Sequence, residues 1–74
     1  MFLISMKVND VETYRMKVES LVSRSECYWY GNVYTKGLPS IKEINDRVNF
    51  DKYYSFAGYD KMGYSVCIQI EKEM

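Results

Sequence analysis

Asn9-Asp10-Val11-Glu12-Thr13-Tyr14-Arg15-Met16-Lys17-Val18, or NDVETYRMKV, is the stretch on which the fold turns, because two periods compete within it. With a period of two, Tyr14, Met16 and Val18 alternate with Arg15 and Lys17 as in a half-buried strand. At about 100° per residue, Val11, Tyr14, Val18, Leu21 and Val22 share one stripe, and Glu12, Thr13, Lys17, Glu19, Ser20 and Ser23 lie outside it. Met16 is then the one large apolar misfit. The helical count is the better of the two and predicts a helix over about residues 11–24, with Asn9 as its cap and Glu12 placed as in a capping box. The alternative is a hairpin through Asn9 and Asp10, which changes the topology.

Upstream, Phe2, Ile4, Met6 and Val8 alternate with Leu3, Ser5 and Lys7, which is the pattern of a strand that buries one side. Downstream, residues 26–36 are aromatic and β-rich. Within them Gly31-Asn32 suits a two-residue hairpin, since glycine takes the positive φ of a type II′ turn; a single strand bent at Gly31 by a bulge is the other reading. Ser40 has Glu43 three residues on, and Ile41, Ile44 and Val48 follow at helical spacing, so a helix should run from Ser40 to about Asn49. Residues 53–59 and 64–71 flank Asp60-Lys61-Met62-Gly63 and predict a closing hairpin. In its second strand Tyr64, Val66, Ile68 and Ile70 face one way and Ser65, Cys67, Gln69 and Glu71 the other.

The order β-α-β(β)-α-β-β describes an α+β domain spanning residues 1–74. It is a two-layer sandwich with two helices on one face of a mostly antiparallel sheet of four or five strands. Its hairpin version approaches a ferredoxin-like βαββαβ order with one strand added. The terminal strands are the expected sheet edges, with Lys72 and Glu73 blunting the last.

With 74 residues, a second folding unit or a large enclosed substrate cavity is excluded on volume. The chain is 47% hydrophobic, too apolar for disorder, and its apolar runs are too short to span a bilayer. Ten basic residues balance ten acidic ones, which weakens any electrostatic case for nucleic acid or anionic lipid. The first residues lack the charge order and length of a secretory signal, so a cytoplasmic location is expected.

Catalytic chemistry finds little to use. There is no histidine, the commonest general base and half of many zinc sites. Cys27 lies beside Glu26, whose charge disfavours a thiolate. Cys27 and Cys67 lack CxxC spacing and read as reduced structural thiols, expected on opposite faces. Asp46, Asp51 and Asp60 show no metal-loop spacing, and no GxxxxGK, GxGxxG or GxSxG is present. A non-enzymatic chain without cofactor or metal is the expectation.

Tyrosine is the unusual feature. Eight tyrosines with Trp29, Phe2, Phe50 and Phe56 make the chain 16% aromatic, more than so small a domain can bury. Along 27–34 either Cys27, Trp29 and Val33 or Tyr28, Tyr30 and Tyr34 face inward. Tryptophan is the better core residue, which predicts a stripe of Tyr28, Tyr30 and Tyr34 on the helix-free face, with Lys36 and Gln69 at its rim. Such rings give large contact area with few rotors, as protein interfaces use them. Half-exposed tyrosines as ordinary cross-strand packers are the plain alternative.

The expected function is a protein–protein interaction module that acts by occupancy, through an aromatic sheet face or an open edge. Self-pairing into a homodimer would support so small a core. In size, neutrality and tyrosine content the chain resembles the minimal proteins with which phages and mobile elements bind and inhibit a host protein; that resemblance rests on no motif. The alternative partner is single-stranded nucleic acid stacked on the same rings, for which the basic stripe is missing.

Overall fold

The structure is a computed structural model and describes residues 1–21 and 28–73. Four strands, β1 (Phe2–Val8), β2 (Val11–Val18), β3 (Tyr53–Tyr59) and β4 (Ser65–Lys72), form one antiparallel sheet in the order β2-β1-β4-β3. One α-helix, α1 (Ile41–Asp51), and a 3-10 helix at Tyr28–Asn32 complete the described elements. The α+β class and an antiparallel sheet of four strands are as expected; the second helix and the fifth strand are not found among the described residues.

The stretch at 9–18 resolves as a hairpin, not a helix. Asn9 and Asp10 have φ of 51° and 67°. Two consecutive residues in the left-handed region make the tight turn whose twist suits flanking strands, and Asn and Asp tolerate that region best among residues with a Cβ. Met16, the helical misfit, lies opposite Ile4, between the pairs Tyr14–Met6 and Val18–Phe2. A bulge skips Thr13, pairing Glu12 with Lys7 and Val11 with Val8. It puts Val11 and Tyr14 on one face at a spacing of three, and so imitates a helical stripe inside a strand. Residues 22–24 of the expected helix lie outside the described residues.

Residues 28–32 form neither a hairpin nor a bent strand. Among the described glycines positive φ falls on Gly37 and Gly63, not on Gly31. The 3-10 turn sets Trp29 and Val33, four residues apart, into the core, and Tyr30 stands edge-on to Trp29 with ring centroids 6.1 Å apart. The buried indole Nε1 of Trp29 has no hydrogen-bond partner among the described residues.

Helix α1 begins as its sequence requires. Ser40 Oγ accepts from the Glu43 amide at 3.1 Å. The helix runs two residues past Asn49 and ends at Lys52 in the left-handed conformation (φ 65°), whose amide donates to the Val48 carbonyl. Ile44 and Val48 bury against the sheet beside Phe2, Ile4, Leu21, Trp29, Val33, Val66, Ile68 and Ile70. Val66, Ile68 and Ile70 face this core, as the alternation predicts.

The terminal strands β1 and β4 are not edges; they pair with each other at the sheet centre, from Phe2–Lys72 to Val8–Val66. β4 buries Val66, Ile68 and Ile70 in regular alternation, and β1 buries Phe2, Ile4 and Ser5. The edges are β2 and β3. No helix among the described residues is long and apolar enough to cross a membrane.

Candidate interaction surface

The turn between β3 and β4 is held by one carboxylate. Asp60 Oδ1 accepts from the amides of Met62 and Tyr64, each at 2.9 Å. The Gly63 amide donates to the Asp60 carbonyl at 2.9 Å, and the Asp60 amide to the Tyr64 carbonyl at 3.0 Å. Aspartate at the first position of a turn does this because its short side chain reaches amides two to four residues on. Gly63 supplies the positive φ of 84°. A neighbouring turn is tied in: the Asn9 amide donates to the Ser65 carbonyl at 2.8 Å, and the Ser65 amide to Asn9 Oδ1 at 3.3 Å.

The segment after the 3-10 helix reaches the same end of the sheet. Tyr34 and Tyr59 exchange both backbone bonds, at 2.7 and 2.8 Å. The close crossing requires Gly58, where a Cβ would meet the Tyr34 carbonyl oxygen at 2.8 Å. Tyr34, Tyr59, Met62 and Tyr64 are between 50% and 69% exposed. Beside Tyr34 and Met62 opens a groove of about 240 Å³, lined by Met6, Val8, Asn32, Tyr34, Asp60, Lys61, Met62 and Val66, while the Tyr59 side chain stands at the same end of the sheet on its helix-free face. Small-molecule sites are roughly 300–1,000 Å³, so this groove is smaller than most of them. Asp60, engaged by its own loop, and Lys61 set one acidic and one basic group at the groove's lip.

The expected stripe of tyrosines has no strand to carry it. Tyr28 and Tyr30 belong to the 3-10 helix and Tyr34 to the segment beyond it, so no strand alternation sets them on a common face. Tyr30 is half-buried against the core and its hydroxyl donates to the Pro39 carbonyl at 2.7 Å, which ties the 3-10 helix to the entry of α1. Tyr34 is exposed at the groove, and Lys36 is exposed two residues on. Gln69 lies between Ser5 and Ser55 on the helix-free face, four residues along β4 from the turn, about 13 Å away. Sequence reasoning passed over Tyr59, Met62 and Tyr64; the available signal was a turn read correctly as Asp-x-x-Gly and bracketed by aromatic residues.

No protein-family model, curated protein or solved structure matches this chain. The case for any function therefore rests on its own geometry.

The helix-free face offers less. Its centre holds Leu3, Ser5, Lys7, Cys67 and Gln69, and its rings, Tyr53 and Tyr59, stand only on β3. Of its cations, Lys17 pairs with Glu73 at 3.3 Å and Arg15 with Glu12 at 3.3 Å. Cys67 is a half-buried free thiol, and Cys27 lies outside the described residues. No group of three or more Cys, Asp or Glu side chains among the described residues is arranged to hold a metal ion.

Proposed function

We propose that the chain is a protein-binding module that acts by occupancy, and that Tyr34, Tyr59, Met62 and Tyr64 form its contact surface. The observation that carries this reading is the pairing of four exposed, uncharged contact side chains with a backbone already ordered by the Asp60 turn and the Tyr34–Tyr59 bridge. Ordering loops and side chains on binding consumes affinity, so a rigid aromatic surface keeps more of what it gains. The adjoining groove takes one apolar side chain of the partner, between Val66 at its base and Met62 at its rim.

The test is capture from a native lysate by the wild-type chain and by a Tyr34→Ala/Met62→Asp variant, followed by affinity measurement on the partner recovered. Tyr34→Ala alone should weaken that complex by about 2 kcal/mol, as loss of a hot-spot ring does, with the melting temperature little changed because Tyr34 bonds to β3 through its backbone. Partners held equally by wild type and variant would refute the surface. Salt-dependent fluorescence quenching by single-stranded oligonucleotides, with no protein captured, would replace the reading by the nucleic-acid one.

A further inference from the structure

The strand β3 is a sheet edge unlike the other one. Edges are usually blunted by charge, proline or a bulge. The edge β2 has Glu12, Arg15, Lys17 and the bulge at Thr13. By contrast β3, Tyr-Tyr-Ser-Phe-Ala-Gly-Tyr, has no charge, no proline and an unbroken register with β4.

The polarity of this edge follows from its one occupied position. Tyr59 bonds Tyr34 through its amide and its carbonyl, so both groups point away from β4. Backbone groups alternate in direction along an antiparallel strand, so those of Ala57, Ser55 and Tyr53 point the same way. Beyond Thr35 the chain turns off at Lys36 and Gly37, and none of these three outward residues has a backbone partner on that side among the described residues. Their side chains are exposed.

We propose that residues 53–57 form the self-pairing edge of a homodimer, β3 of one copy adding antiparallel to β3 of a second about a two-fold axis at Ser55. This is an isologous contact, so the strand must be complementary to itself, and the sequence is. Around that axis the outward pairs are Tyr53 with the partner's Ala57, Ser55 with the partner's Ser55, and Ala57 with the partner's Tyr53. Each ring meets a methyl group, and the two hydroxyls meet each other. On the core side Tyr54 comes opposite the partner's Phe56, extending the ring packing in which Tyr54, Phe56 and Trp29 already take part. No like charges meet. The same operation on β2 about Met16 would set Arg15 against the partner's Lys17, which is why β3 is the edge selected. The inference is independent of the partner surface at the turn.

The paired segment is short, so the dimer should be reversible. Sedimentation equilibrium over a concentration series should show a mass rising from 8.8 kDa toward twice that value. Ser55→Lys sets two ammonium groups together on the axis and should hold the mass at 8.8 kDa, with unchanged far-UV circular dichroism; Met62→Asp should leave the dimer intact. A covalent trap covers the case in which Ser55→Lys fails to fold. With Cys27 and Cys67 replaced by serine, Ser55→Cys should oxidise to a linked dimer, because directly opposed residues lie about 5.5 Å apart between Cα atoms, within disulfide range. Ala57→Cys, offset from its own copy, should not link. A wild-type chain that stays monomeric throughout, a dimer indifferent to Ser55→Lys, or equal linking at 55 and 57 would overturn the proposal.

Discussion

Gly58 joins the contact surface to the sheet. A Cβ there would lie 2.8 Å from the Tyr34 carbonyl oxygen and 3.0 Å from both Thr35 Cβ and Val33 Cγ1, so the segment 33–35 crosses β3 only because position 58 has no side chain. Gly58→Ala should therefore push that segment outward and strain the two Tyr34–Tyr59 bonds. The expected loss is about 1–3 kcal/mol of stability, as in other overpacked sites, read from the urea midpoint, with a parallel loss of partner affinity. An unchanged midpoint would mean that the segment yields without cost. Nothing local announces this role, since in the stretch YSFAGY the glycine reads only as a weak spot in a strand. Ser40 is the opposite case. Its cap was legible because the hydrogen bond it makes closes within three residues, and Trp29 was legible as core because its size leaves few other places for it.

Among the elements, those set by local chemistry match their sequence signals and those set by distant contacts do not. The cap and spacing of α1 and the turn between β3 and β4 are local. In the hairpin of β1 and β2 the turn is local too, but the bulge at Thr13 makes a strand count like a helix, and what selects the strand is pairing with β1, which β4, far along the chain, holds in place. The same holds for Gly31-Asn32, where burial of Trp29 overrides the turn preference. A sign test separates hairpin from helix. Asp10 has φ 67°, a conformation glycine adopts without penalty, so Asp10→Gly should raise stability by about 0.5–1 kcal/mol. Were 11–24 a helix, the same change would remove a capping-region carboxylate and lower stability. A fall in the denaturation midpoint would count against the hairpin.

At the scale of the molecule, the consequence of placing the terminal strands side by side is kinetic. The pair β1–β4 joins Phe2 to Lys72 and Val8 to Val66 at the sheet centre, so the central ladder forms only by closing nearly the whole chain into a loop. Loop closure must come before those contacts contribute, and sheets dominated by such pairings fold in milliseconds to seconds, not microseconds. The hairpins β1–β2 and β3–β4 form locally, but a lone two-stranded hairpin is marginal in water, and α1, short for an isolated helix, needs Ile44 and Val48 buried on the joined sheet. No part of the described fold is therefore expected to persist without the rest, and unfolding should be all-or-none. Trp29, the single tryptophan and 1% exposed, reports the closed core by fluorescence. Stopped-flow refolding should give one exponential phase slower than about a millisecond, with the same rate by fluorescence and by far-UV circular dichroism. Ile68→Val, a methylene lost in the central strand, should cost about 1 kcal/mol. If the central ladder closes in the rate-limiting step, that loss appears mainly as slower refolding; if it appears wholly as faster unfolding, β1 and β4 join after the barrier.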